Sequence, residues 1–254
     1  MLHILSPAKT LDYKNQIQTS RFTQPDLLSD SKVLIQELKK QNPKDIEKLM
    51  NVNSELAVLN FERHLSWRLP FSVDNSKQAL AVFKGQVFVG LDAKTLSRNE
   101  VHFAHDHLRI LSGLYGILRP LDLIQPYRLE MGTDLVNPRG KNLYQFWGLK
   151  LTEIINSELS KHKQKVLINL ASNEYFKAIN PKKISGKIIT PVFKESKGNV
   201  YKQVTIYTKT ARGYMSRFII QNQIENHEDI KAFDTGGYLF NPNLSSEHEW
   251  VFVR

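Results

Sequence analysis

The run KVLINL at residues 165–170 limits the fold of this chain more than any other stretch. Its aliphatic residues follow one another without the polar alternation of a strand that has one wet face. A run of this kind belongs to a sheet covered on both faces, which in turn demands helices on each side. LHIL at Leu2–Leu5 reads the same way and stops at Ser6-Pro7, because proline cannot continue a central ladder. Apolar spacing predicts a helix over 26–40, ended by Asn42-Pro43, and a second one in which Pro43 takes the first turn ahead of Ile46, Leu49 and Met50. A third helix is expected over 54–67 and another over 211–222. Residues 79–83 read as the end of a helix and 101–111 as helical at first. Strands are expected over 87–91, 109–114, 187–192 and 203–208 and at Glu249–Val253. No repeat, low-complexity tract or linker interrupts the chain. The expectation is one mixed α/β (α+β) domain over residues 1–254, a mostly β core covered by helices.

Composition excludes several classes. With 254 residues, 41% of them hydrophobic, the chain can bury a sizeable core. It has no cysteine, so disulfides, thiolate metal sites and a cysteine nucleophile are out. No apolar run approaches the roughly 18–20 residues of a membrane span. The short apolar start is broken by His3 and Pro7, unlike a signal peptide, so a cytoplasmic protein without a membrane partner is expected. The net charge of +10 is unevenly spread: residues 181–217 hold nine Lys or Arg and one acid, Glu195. Charge concentrated this way, with Phe193, Tyr201, Tyr207, Tyr214 and Phe218 interleaved, favours a polyanion such as double-stranded or structured DNA. Lys194, Lys209, Arg212 and Arg217 are the candidate phosphate contacts.

The stretch IEKLMNVNSELAVLN, residues 46–60, echoes a DNA-binding helix-hairpin-helix, with Asn51 and Asn53 in the two positions usually held by glycine and Val52 between them. Such a hairpin holds phosphate through backbone N–H groups at a helix N-terminus. Asn tolerates positive φ better than most residues. Glu55 weakens the attraction for phosphate. A helix-hairpin-helix-like element near residues 44–66 is therefore expected, against the alternative of plain helix.

Other polar residues cluster after strands or in turns, where sites usually lie. Ser6 and Lys9 follow the first strand. Tyr127, Arg128 and Glu130 sit in PYRLEMG, and Asn169, Ser172, Glu174 and Tyr175 in INLASNEY. Lys9, Arg128, Glu130 and Glu174 are the candidates for catalysis, with a carboxylate as acid or base beside Lys and Arg. HFAHDH at 102–107 is weak as a metal motif, because ligands must converge and this reads as a solvated helix face. No metal, cofactor or obligate protein partner is expected.

SPAKTLDY, LSGLYGILRPLDLIQPYRLEMG, LYQFWG, INLASNEYFK and ARGYMSRFII, in this order and spacing, resemble the YaaA family over nearly the whole length. The resemblance implies a role in bacterial peroxide stress, limiting iron and the damage it does. It also implies DNA binding through a basic cleft and a helix-hairpin-helix on an unusual mixed α/β fold. The alternative is an enzyme on nucleic acid or nucleotides, of glycosidase or phosphoryl-transfer type.

Overall fold

The computed structural model describes residues 1–198 and 200–254, with the backbone alone at Lys197. Eight strands form the main sheet: β1 (Leu2–Leu5), β2 (Leu108–Ser112), β3 (Gly116–Leu118), β4 (Val166–Leu170), β5 (Lys187–Lys197), β6 (Val200–Lys202), β7 (Leu239–Phe240) and β8 (Glu249–Val253). Their order is β7-β8-β5-β4-β1-β2-β3, with β6 folded back on β5. The five middle strands run parallel, and antiparallel β7 and β3 close the two ends. β1, β2 and β4 are buried along their full length, as their unbroken apolar runs require.

The helices that frame the sheet and the site include α1 (Leu28–Lys39), α2 (Pro43–Met50), α3 (Ser54–Ser66), α4 (Gln86–Leu91), α5 (Arg98–His107), α6 (Lys150–Ser160), α7 (Asn173–Phe176) and α8 (Thr205–Gln221). Local chemistry sets their starts. Asn42 accepts from the Lys44 and Asp45 N–H groups (2.9 and 3.1 Å), while the Asp45 carboxylate accepts from the Asn42 N–H (3.1 Å). Ser97 and Glu100 make the same reciprocal pair ahead of α5. Trp67, Trp147 and Trp250 are all buried in one hydrophobic core. Among the described residues no helix is long and apolar enough to cross a membrane.

Two expected strands are helices. Residues 87–91 lie in α4, and 203–208 lead into α8. Residues 87–91 form an unbroken apolar run and 203–208 alternate, both strand-like over a short stretch, but tertiary packing decides otherwise. α8 lies along α4 with glycine against glycine: a Cβ on Gly213 would stand 1.9 Å from the Val87 carbonyl oxygen, and one on Gly90 2.3 Å from that of Thr210. Contacts this short bring the two helices together backbone to backbone.

Residues 43–66 are two helices joined by a turn, as expected, but the turn works differently. Asn51 is left-handed (φ 48°), whereas Asn53 is extended (φ −71°) and caps α3 by accepting from the Leu56 N–H at 3.0 Å. The Asn51 and Val52 N–H groups bond back to the Lys48 and Glu47 carbonyls (3.4 and 3.2 Å), the αL closure that ends many helices. Those two amides are thus occupied.

Candidate functional site

Reading outward from β1, the chain adds β2 on one side and then turns to add β4, β5 and β8 on the other. The direction reverses between β1 and β4. In open α/β sheets ligands bind at such a point, beyond the carboxyl ends of the strands. There the Ser6 Oγ accepts from the Ser172 N–H (2.8 Å) and donates to the Ser172 Oγ (3.2 Å), tying the two strand ends together. A cavity of about 270 Å³ opens above this pair.

Five separate pieces of chain wall the cavity. The strand-end loops bring Ser6, Lys9, Ser172, Glu174 and Tyr175, and the PYRLEMG loop brings Glu130. A short ribbon pairs Thr10–Leu11 with Phe83–Lys84 and sets Lys84 opposite Thr10. The α4–α8 pair closes the last side with Val87 and Phe88 from one helix and Lys209 and Arg212 from the other. Lys209 and Arg212 share a face because they stand three residues apart on a helix.

Charge in the cavity is unbalanced: four cations line it against two carboxylates. Glu130 is held from two sides, by the Lys9 Nζ at 2.5 Å and the Arg128 Nη2 at 3.0 Å. Lys84 pairs with Asp12 at 3.3 Å. Glu174 accepts from the Gly132 N–H at 3.0 Å. Arg212 has no carboxylate within ion-pair distance among the described residues, and its buried Nε has no hydrogen-bond partner there. Burial pushes its guanidinium pKa down, yet not so far that the group is neutral at physiological pH. Burial also raises the pKa of the Tyr175 hydroxyl, which stays protonated as part of the wall.

The cavity therefore gathers Ser6, Lys9, Glu130, Ser172, Glu174, Tyr175, Lys209 and Arg212 from the sequence-derived set. Arg128 stands one layer back, orienting Glu130. Tyr127 is buried further in and shares a hydrogen bond with the Ser112 hydroxyl (2.7 Å). Asn169 shapes the turn after β4 by accepting from the Ala171 N–H (3.1 Å). Arg217 is turned away: it donates to the Leu91 and Asp92 carbonyls at 2.9 Å each and closes the end of α4. Lys194 lies on β5, outside the cavity, and so does the Asn51–Val52–Asn53 turn. That turn also carries the Glu47 carboxylate, accepting from the Ser54 hydroxyl (2.8 Å), and Glu55 in the first turn of α3, both unfavourable to phosphate.

Lys84 and the α4 side chains were missing from the sequence reading. Lys84 lies in a two-residue ribbon without a motif, and α4 was expected to be a strand. The isolated Gly90 in an apolar run and Gly213 inside an expected helix were the available signal of a close backbone approach.

At the other end of β1 and β2, His105, His107 and His162 line a second cavity of about 440 Å³ with the Arg109–Glu158 ion pair. His107 stacks on Phe103 with ring centres 4.0 Å apart. Among the described residues no group of three or more His, Cys, Asp or Glu side chains is disposed to hold a metal ion.

A family model described as peroxide stress protein YaaA matches residues 1–244. A UPF0246 protein of Cellvibrio japonicus is 51% identical over 254 residues, covering 100% of this chain and 98% of its own length. Another from Hahella chejuensis is 53% identical over 100% of this chain and 99% of its own. One from Neisseria gonorrhoeae is 49% identical, with 100% and 98% coverage. Agreement of this depth, carried from end to end, makes the chain a member of the YaaA peroxide stress protein family, whose relatives here also bear the name UPF0246.

Proposed function

We propose that the protein serves the bacterial peroxide-stress response by binding nucleic acid in the cavity between β1 and β4, one nucleotide at a time. The observation that carries this reading is Arg212: a half-buried guanidinium in the cavity wall beside Lys209, its buried Nε without a hydrogen-bond partner and no anion within ion-pair distance among the described residues. A cation that has lost part of its water without gaining a partner favours a ligand that brings negative charge. The cavity is near the lower end of ligand-site volumes, which suits a terminal, gapped or extruded nucleotide and not a duplex. The family's peroxide-stress description supplies the biological setting. The α2–α3 turn contributes little, because its two central amides are engaged and its flanking side chains are acidic.

Fluorescence anisotropy with labelled single-stranded, gapped and intact duplex DNA tests this reading between 50 and 200 mM salt. Single-stranded and gapped DNA should bind more tightly than duplex. The double variant Lys209→Ala/Arg212→Ala should weaken binding and lower the salt slope by roughly 0.7 per lost phosphate contact. Unchanged affinity in that variant would exclude the cavity.

A second reading, an enzyme on nucleic acid or nucleotides, is favoured by Glu130 standing in the same cavity between two cations. It predicts base release or strand cleavage that Glu130→Gln abolishes while DNA affinity survives. The absence of any product leaves the binding function alone.

A further inference from the structure

Two opposite charges line the cavity between β1 and β4 without meeting. Glu174 gives one carboxylate oxygen to the Gly132 N–H at 3.0 Å. Its other oxygen has no hydrogen-bond or ion-pair partner among the described residues. Among the described residues Arg212, on the α8 wall, has no ion-pair partner, and the two groups are not within ion-pair distance of each other. A single molecule that bridges them needs an anionic group at one end and N–H donors at the other.

Resting on the nucleic-acid reading above, the anionic end is a phosphate and the donor end is the edge of a base. An ionised carboxylate only accepts hydrogen bonds, and it accepts best from two N–H groups side by side. Guanine presents that pair at N1 and N2. Adenine and cytosine set a ring-nitrogen acceptor beside their amino group, and thymine flanks its one N–H with carbonyl acceptors, so each would turn a lone pair towards Glu174. The fixed bond to Gly132 holds the Glu174 carboxylate in one orientation before anything binds. Phe88 and Tyr175 add aromatic surface to the lining, on which a planar base can pack.

We propose that the cavity selects a guanine nucleotide, with Glu174 accepting from the base and Arg212 and Lys209 taking the phosphate. No bond is made or broken in this proposal. It assigns the site its base preference.

Isothermal titration of the full-length protein with GMP, IMP, AMP and inorganic phosphate tests it. GMP should bind at least tenfold more tightly than AMP, and about fivefold more tightly than IMP, which lacks the N2 amino group. Glu174→Gln keeps an acceptor for the Gly132 N–H. It should bring GMP down to the level of AMP and leave AMP unchanged. Arg212→Ala should weaken all three nucleotides by a similar factor. Equal affinity for GMP and AMP in the unmodified protein would overturn the guanine assignment while the nucleotide site stood. Failure of all four probes to bind would overturn both.

Discussion

Asn51 and Asn53 look equivalent in sequence and have opposite roles. Asn51 supplies the left-handed turn, while Asn53 uses its side chain to cap α3. Asn51→Gly should therefore be tolerated, because glycine reaches positive φ freely, and Asn51→Val should cost about 1–2 kcal/mol. At the other residue Asn53→Ala should cost about 1 kcal/mol through the lost cap, and Asn53→Gly only a few tenths. Urea denaturation measures all four, and none should change DNA affinity, since the turn is outside the cavity. Glu130→Gln tests a charge that lies inside it. Removing the charge shared by Lys9 and Arg128 leaves partly buried Arg128 uncompensated, so the melting temperature should drop.

Between elements, the contact that decides the site is α4 against α8. Val87, Phe88, Lys209 and Arg212 reach one cavity only because the two backbones touch at Gly90 and Gly213. Gly213→Ala would place its methyl group inside the Val87 carbonyl, so α8 must move outward. The expected loss is about 3 kcal/mol, the upper end of overpacking costs. Nucleotide affinity should fall as Lys209 and Arg212 withdraw. Arg217→Ala should destabilise as well, through the uncapped end of α4, but leave the salt slope of DNA binding almost unchanged. Thermal melting and anisotropy, run on both variants, separate these effects.

Across the molecule, buried imidazoles couple stability to pH. Burial brings His3 down to about 3 and His64 down to about 4 from an ordinary value of 6.5. Both are neutral in the folded state, and His3 also meets the Ser216 hydroxyl at 3.0 Å. Below pH 6.5 the unfolded chain takes up protons that the folded protein refuses, so stability is greatest above that pH and falls between 6.5 and 4. Each histidine adds about 1.4 kcal/mol per pH unit to the slope inside that window. His105 and His162, lowered to about 4 by burial, act in the same direction. Denaturation midpoints measured from pH 7.5 to 4 should show the decline, and His64→Leu should make it shallower.

What the amino-acid sequence determined by itself is what depends on near neighbours along the chain. The unbroken apolar runs of β1 and β4 demanded a covered sheet, and Asn42-Pro43 placed the start of α2. The polar residues after β1 and β4, with Glu130 and the basic pair Lys209 and Arg212, were legible as candidates because strand ends and turns present side chains to ligands. Tertiary structure alone decided which of them meet. Arg217 and Lys194 carry the same charge as Lys209 and Arg212, but the path of the chain turns one to cap α4 and leaves the other on β5. The identity of residues 87–91 and 203–208 as helix, and the arrival of Lys84 through a two-residue ribbon, were settled by contacts between segments more than seventy residues apart. Periodicity within a short window is the same for a half-buried strand and a short buried helix, and only the partner surface separates them.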